Sequence, residues 1–116
     1  MRLVHEQDGD TATLASEVDL AESTVAQARG LMFRRSIPEE YGLVFPFDGV
    51  GVRSLHMLFV PFSIDAVWLR DDEVTKTKRL RAWTGLGWGR GDCVLELPAG
   101  AADGVSVGDR VRLVGP

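Results

Sequence analysis

The chain has 116 residues, 45% of them hydrophobic and 26% charged, with 13 lysines and arginines against 17 acids and a formal net charge of −4. A domain near this length hides roughly two thirds of its unfolded surface, enough for one core and too little for two. This composition excludes a disordered tail, a collagen-like repeat and a disulfide scaffold, and it supplies no broad basic face for a nucleic-acid backbone.

Short runs rich in Val, Leu, Phe and Trp, separated by Gly, Pro and Asp, predict a mostly β domain. Residues 2–6 are expected to pass through Asp8-Gly9-Asp10 into a second strand from Thr11, because glycine accepts positive φ without penalty. Leu14, Ser16, Val18 and Leu20 then alternate with Thr13, Ala15, Glu17 and Asp19, which sets an inner face against an acidic outer one. One helix is expected from about Ser23. Thr24 and Gln27 have capping-box spacing, Ser23 competes as N-cap, and Val25, Ala28 and Met32 share a face. Gly30 ends this helix or lets it approach a strand closely. Pro38-Glu39-Glu40 starts a single turn.

Leu43, Phe45 and Phe47 share a strand face, and Asp48-Gly49-Val50-Gly51 is expected to turn the chain. Residues 54–60 are apolar on both faces, which predicts a central strand covered on both sides. Further strands are expected over 65–70, ending at Asp71-Asp72, and over 74–83. Two more are expected over 92–97, stopped by Pro98, and over 110–114. Residues 99–104 suit one helical turn. The basic stretch Lys76, Lys78, Arg79 and Arg81 follows three acids and reads as a solvated strand face.

Few residues suggest chemistry. Cys93 is the only cysteine, so no intrachain disulfide forms, and its apolar neighbours mark it as structural. His5 is expected to be exposed. His56 lies on an apolar run and titrates near neutrality when unperturbed. Asp65 and Glu96 interrupt apolar strands, where a carboxylate needs a partner; Arg29, Arg34 and Arg53 are available. The stretch Trp83-Thr84-Gly85-Leu86-Gly87-Trp88-Gly89-Arg90-Gly91 alternates glycine with other residues. It matches neither a P-loop nor a dinucleotide fingerprint, and it predicts a flexible or bulged loop whose Trp83 or Trp88 stacks on a sugar or base beside Arg90. The histidines, cysteine and acids show no metal-ligand spacing.

Several strings occur in a recognisable order. They are Arg29-Gly30-Leu31-Met32-Phe33-Arg34, Gly42-Leu43-Val44-Phe45, Met57, Ile64-Asp65, Val94-Leu95-Glu96-Leu97-Pro98-Ala99-Gly100 and Gly108-Asp109. Over about residues 11–114 the chain resembles the uncharacterised family known as domain of unknown function 192. The resemblance implies an all-β sandwich or barrel of jelly-roll type, a single domain over 1–116, with a short helix carrying the Arg29–Met32 stretch. It marks Arg29, Gly30, Leu31, Met32, Arg34, Met57, Pro98 and Gly100 as motif positions and implies no catalytic residue, since the family has no established activity. Where the family usually reads Phe-Trp-Met-Lys-Asn-Thr, this chain has Leu55-His56-Met57-Leu58-Phe59-Val60. Any ligand role of the polar Lys-Asn-Thr trio is lost in this member.

The leading expectation is a small soluble binding module for a small polar or sugar-like ligand. His56, Asp65, Glu96 and Arg53 would hold it, with Trp83, Trp88 and Arg90 at the rim. The alternative is a protein–protein interaction module, monomer or weak homodimer, using an apolar strand face at residues 58–62. A hydrolase using Asp65 or Glu96 ranks third, because no nucleophile–base–orienter set is legible. No cofactor, metal, nucleic acid or membrane is expected as a partner. The N-terminus lacks an apolar signal region, and no apolar run approaches the roughly 20 residues of a bilayer span, so the expected location is the cytoplasm.

Overall fold

The computed structural model describes residues 1–115. The chain begins with the expected hairpin, β1 (Arg2–Gln7) against β2 (Asp10–Ala15), with Gln7 opposite Asp10. A two-residue turn that follows the strand twist needs positive φ at both positions. Asp8 takes +51° and Gly9 +84°. After Ser16 the chain continues as β3 (Glu17–Leu20), then α1 (Thr24–Arg29), β4 (Tyr41–His56) and β5 (Ile64–Arg70). β6 (Glu73–Leu80), β7 (Leu86–Pro98) and β8 (Arg110–Val114) follow.

The strands form one sheet in the order β2-β1-β8-β6-β5-β7-β4-β3. Its two edges, β2 and β3, are therefore the two halves of one bent strand. The first half pairs with β1 antiparallel, and the second pairs with the start of β4 in parallel. The bend is pinned where the N–H groups of Ser16 and Glu17 both donate to the Glu40 carbonyl at 3.0 Å. Every strand sends an apolar residue to one shared cluster: Leu3, Ala15, Val18, Val44, Val67, Val74, Leu95 and Val111 from β1 to β8 in turn. The sheet is thus curled around an interior, and the all-β class expected from the sequence is the class observed. No helix among the described residues is long and apolar enough to cross a membrane.

Strand side chains alternate between faces. The outer faces of β4, β5 and β7 present Leu43, Phe45, Ala66, Trp68 and Val94 to a second cluster, covered by Leu31, Met57 and Val60. Over residues 41–45, 64–69 and 94–97 these strands are buried on both sides, which is why those segments read as continuous apolar runs.

Three expectations are corrected. Residues 48–51 do not turn the chain; β4 runs on to His56, and only its ladder to β7 lapses between Pro46 and Gly51. Proline has no N–H to donate to a ladder. Residues 54–60 are not one covered central strand, and residues 58–62 form no strand face: β4 ends at His56, with Ser54 and His56 exposed. Leu58 and Phe59 sit exposed on a turn held by a bond from the Val60 N–H to the Met57 carbonyl at 3.1 Å.

The glycine-rich stretch is not a loop as a whole: residues 83–85 end a turn, and residues 86–91 are the first half of β7, paired with residues 51–56 of β4 as a two-stranded ribbon. A Cβ on Gly89 would lie 2.7 Å from the Trp68 ring, and one on Gly91 would lie 2.2 Å from the Leu69 carbonyl oxygen. Alternate glycines strip one strand face of side chains so that the ribbon lies flat over Trp68. The indole N–H of Trp68 donates to the Arg53 carbonyl at 2.8 Å. Lys76 and Lys78 are not simply solvated: their ammonium groups donate to the Trp88 and Leu86 carbonyls and lash β6 to the ribbon.

The helix also differs in detail. Ser23, not Thr24, is the N-cap, its Oγ accepting from the Ala26 N–H at 3.0 Å. Gln27 donates instead to the carbonyls of Ala21 at 3.0 Å and Pro46 at 2.8 Å. Val25 and Ala28 are both exposed, and Ala26 is the partly buried apolar residue of the helix. With six residues the helix ends at Gly30, so Met32 lies beyond it and Leu31 supplies the buried anchor.

Candidate functional site

Glu96 is the residue that most needs an explanation. It lies on β7 between Leu43 of β4 and Ala66 of β5, facing outward beneath the end of α1. Its side chain is buried, and Oε1 has no hydrogen-bond partner. Burial pushes its carboxyl up to about 7, with the nearby Arg34 guanidinium pulling the other way. A free carboxylate oxygen in an apolar setting is costly, and natural proteins rarely leave one.

Gly30 passes directly over this carboxyl. A Cβ there would lie 3.2 Å from Oε1 and 3.5 Å from Cζ of Phe45, and the backbone takes φ +50°. Glycine is therefore required twice, by conformation and by space. The Gly30 N–H still closes the helix on the Ala26 carbonyl at 2.9 Å.

Beside Gly30 opens a cleft of about 160 Å³, lined among others by Gln27, Arg29, Met32, Ser54, His56 and Glu96. His56 stands at the end of β4, where its Nδ1 accepts from the Leu58 N–H at 3.2 Å. A neutral ring that accepts at Nδ1 carries its proton on Nε2 and can donate there. On the far side of Gly30 a second hollow of about 360 Å³ is bordered by Asp19, Ala26, Arg29 and Arg34. The Arg34 guanidinium lies over the Tyr41 ring at 5.1 Å, and the Tyr41 hydroxyl donates to Asp19 at 2.8 Å. Arg29 lines both openings.

The structure brings His56 and Glu96 to one cleft and places the other candidates elsewhere. Asp65 points to the opposite face of the sheet, since it pairs with Leu97 while Glu96 pairs with Ala66. One of its oxygens accepts from Arg79 Nε at 2.8 Å, and the other accepts from the N–H groups of Gly100 and Ala102, both at 2.9 Å. Its partner is thus Arg79, not Arg29, Arg34 or Arg53. It latches the turn after β7, where Gly100 takes φ +96°.

Arg53 donates to the Gly49 carbonyl at 2.7 Å and lies over the Phe47 ring at 4.0 Å. Trp88 and Arg90 lie on the outer face of the ribbon, and Trp83 sits on the turn before it. Among the motif positions, Arg29, Gly30, Leu31 and Met32 form one wall of the cleft, Met57 is core, and Pro98 ends β7. Cys93 is half-buried, and burial, Asp92 and Asp72 push its thiol up to about 12, which leaves it inert as a nucleophile. His5, expected to be exposed, is instead largely covered and bonded through Nε2 to Asp109 at 2.7 Å.

Gln27 and Ser54 are cleft residues that sequence reasoning misses. In the sequence Gln27 reads as a helix cap, and no signal places the end of α1 over β7.

A family model described as uncharacterized ACR, domain of unknown function 192, matches residues 4–113. No curated protein matches the sequence. The fold is similar to the crystal structure of a putative transcription regulator from Sinorhizobium meliloti 1021, with TM-score 0.84 and 25% identity, covering 96% of this chain and 91% of that one. It is also similar to a protein of unknown function from Novosphingobium aromaticivorans DSM 12444, with TM-score 0.84 and 22% identity, covering 97% of this chain and 84% of that one.

Proposed function

The chain belongs to the family DUF192, uncharacterized ACR, and since membership brings no activity with it, we propose from the geometry that the protein is a binding module for a small polar ligand. The observation that carries this reading is the buried, unpartnered Oε1 of Glu96 at the floor of the cleft beside Gly30. An unmade hydrogen bond of a buried group costs about 1–3 kcal/mol, more for a charge, and a ligand donor would recover it. Ligand sites are typically concave and largely apolar, with a few converging polar groups. Here Phe45, Leu55 and Val60 supply the apolar walls, and Glu96, His56 and Gln27 supply the polar groups.

Hydrolysis by a carboxylate pair finds no support, because Asp65 and Glu96 lie on opposite faces and Asp65 is already engaged. The net charge of −4 also opposes a regulatory role through direct contact with a nucleic-acid backbone.

The test is amide NMR of the labelled protein against sugars, amino acids and nucleotides. Shifts confined to the cleft residues, and abolished by Glu96→Gln, are expected. Shifts scattered over the surface, or no shifts at all, would refute the reading.

A second reading is favoured by one observation. The rings of Phe33 and Phe59 stack at 5.0 Å with a 24° tilt, both exposed, as are Leu58 and Trp83. Phe33, Phe59 and Trp83 take φ of +68°, +61° and +66°. Bulky residues avoid that region, and such strain clusters where a structure serves a contact. Backbone bonds from Phe33 N–H to Phe59 O at 2.8 Å and from Trp83 N–H to Val60 O at 3.0 Å hold the group in place. On this reading the patch meets a partner chain. Sedimentation that shows no mass increase at high concentration, and no change on Phe59→Ser, would count against a second copy as that partner.

A further inference from the structure

We infer that the ligand of this cleft is a small zwitterion, one ammonium group paired with a carboxylate on the pattern of an amino acid; the inference rests on the cleft being a ligand site. The cleft offers the two opposite charges that such a molecule needs. Glu96 supplies the negative end. Burial favours the protonated form in the free protein, but a cationic donor at the unpartnered Oε1 favours the ionised carboxylate, which only accepts hydrogen bonds. A hydroxyl would donate but leave the buried charge uncompensated, whereas an ammonium group does both. Phe45 and Met32 line the same cleft with apolar surface, which lowers the local dielectric and strengthens the attraction between the two charges.

Arg29 supplies the positive end. It lines the cleft and forms no ion pair among the described residues. A guanidinium accepts a carboxylate across two parallel N–H donors, which orients as well as binds. The same pair of charges argues against simpler ligands. A plain cation would enter beside Arg29, with Arg34 close enough to act on Glu96, and gain nothing from either. A plain anion would meet the Glu96 carboxylate at the floor. A dipolar molecule satisfies both ends without importing net charge.

The experiment titrates the whole chain with glycine, L-serine and L-glutamine, following the amides of Gly30, His56 and Glu96. The methyl esters, which lack the carboxylate, and the N-acetyl forms, which lack the ammonium group, serve as matched probes, with glucose as the uncharged control. Free amino acids are expected to shift the cleft amides, and removal of either charge should weaken binding at least tenfold. Glu96→Gln and Arg29→Gln should each weaken it to a similar degree while keeping native spectral dispersion. The analogue series reads on the unmodified protein, so the outcome does not depend on either variant folding. Equal binding by esters or N-acetyl forms overturns the zwitterion. Glucose shifting the cleft while amino acids do not also overturns it, yet leaves the cleft as a ligand site. Silence from every probe overturns both.

Discussion

Replacing Glu96 with glutamine removes a charge and keeps the shape, so its effect on stability can be worked out in advance. Burial moves the Glu96 carboxyl from its ordinary 4.5 to about 7 in the folded chain. At about 1.4 kcal/mol per pH unit, ionising it inside the fold costs about 3 kcal/mol relative to the unfolded chain. Between pH 4.5 and 7 the folded chain holds the proton and the unfolded chain has lost it. Stability therefore falls as pH rises through that window and levels off above it.

The glutamine side chain of the variant has no proton to lose. Its buried amide carries its own desolvation cost of about 1 kcal/mol, but that cost is the same at every pH. The variant should therefore gain about 3 kcal/mol on the wild type between about pH 4.5 and 8, or about 12 °C in relative Tm at an unfolding entropy of about 2 cal/mol/K per residue. Arg29, Arg34 and His56 also stand near the carboxyl. All three are present in both proteins, so the comparison holds them constant. Urea unfolding at about pH 5, 6, 7 and 8, read by tryptophan fluorescence, measures the difference directly. A difference constant to within about 0.5 kcal/mol across that range would refute the assignment of Glu96 as a desolvated carboxyl.

Three further outcomes are expected. Gly89→Ala should lose about 1–3 kcal/mol in urea unfolding, because its Cβ would press on the Trp68 ring, whereas Gly49→Ala, with open space around it, should stay within about 0.5 kcal/mol; equal effects would sink the account of the glycine alternation. Asp65→Asn should cost about 2–3 kcal/mol by weakening the acceptor of the Gly100 and Ala102 N–H groups, while Arg79→Ala, whose side chain is 52% exposed, should cost clearly less; a larger loss from the arginine would overturn that order. At about pH 8 a thiol reagent should leave native Cys93 largely unmodified and label it rapidly in urea, since a thiol pushed up to about 12 holds almost no thiolate; fast labelling of the native protein would contradict its burial.

Sequence and structure agree wherever local chemistry decides the conformation. Asp8-Gly9 dictates its turn through φ alone, and β8 follows from the alternation of Arg110, Val111, Arg112 and Leu113 after Gly108-Asp109. Where structure depends on what lies across the sheet, the residues are silent. The glycine alternation of β7 looks like a loop until Trp68, about twenty residues earlier in the chain, is placed beneath it. The helix face is illegible because six residues are too few for periodicity to outweigh a single anchor such as Leu31. Asp65 and Glu96 are indistinguishable in sequence, each a carboxylate inside an apolar strand. One position of register sends them to opposite faces, where one meets Arg79 and two amides and the other leaves an oxygen without a partner.

The bent strand from Asp10 to Leu20 bears on how copies of this protein behave toward one another. A sheet edge is a template for its own growth, offering unpaired donors and acceptors to any extended chain. Here both edges belong to one segment, whose exposed residues include Asp10, Thr11, Thr13, Glu17 and Asp19. Two molecules meeting through β3 would bring Glu17 and Asp19 together, and a β2 edge meeting a β3 edge would bring Asp10 toward the same pair. A single short stretch thus guards both ends of an eight-stranded sheet against polymerising, and a loss of its acids would disarm both at once.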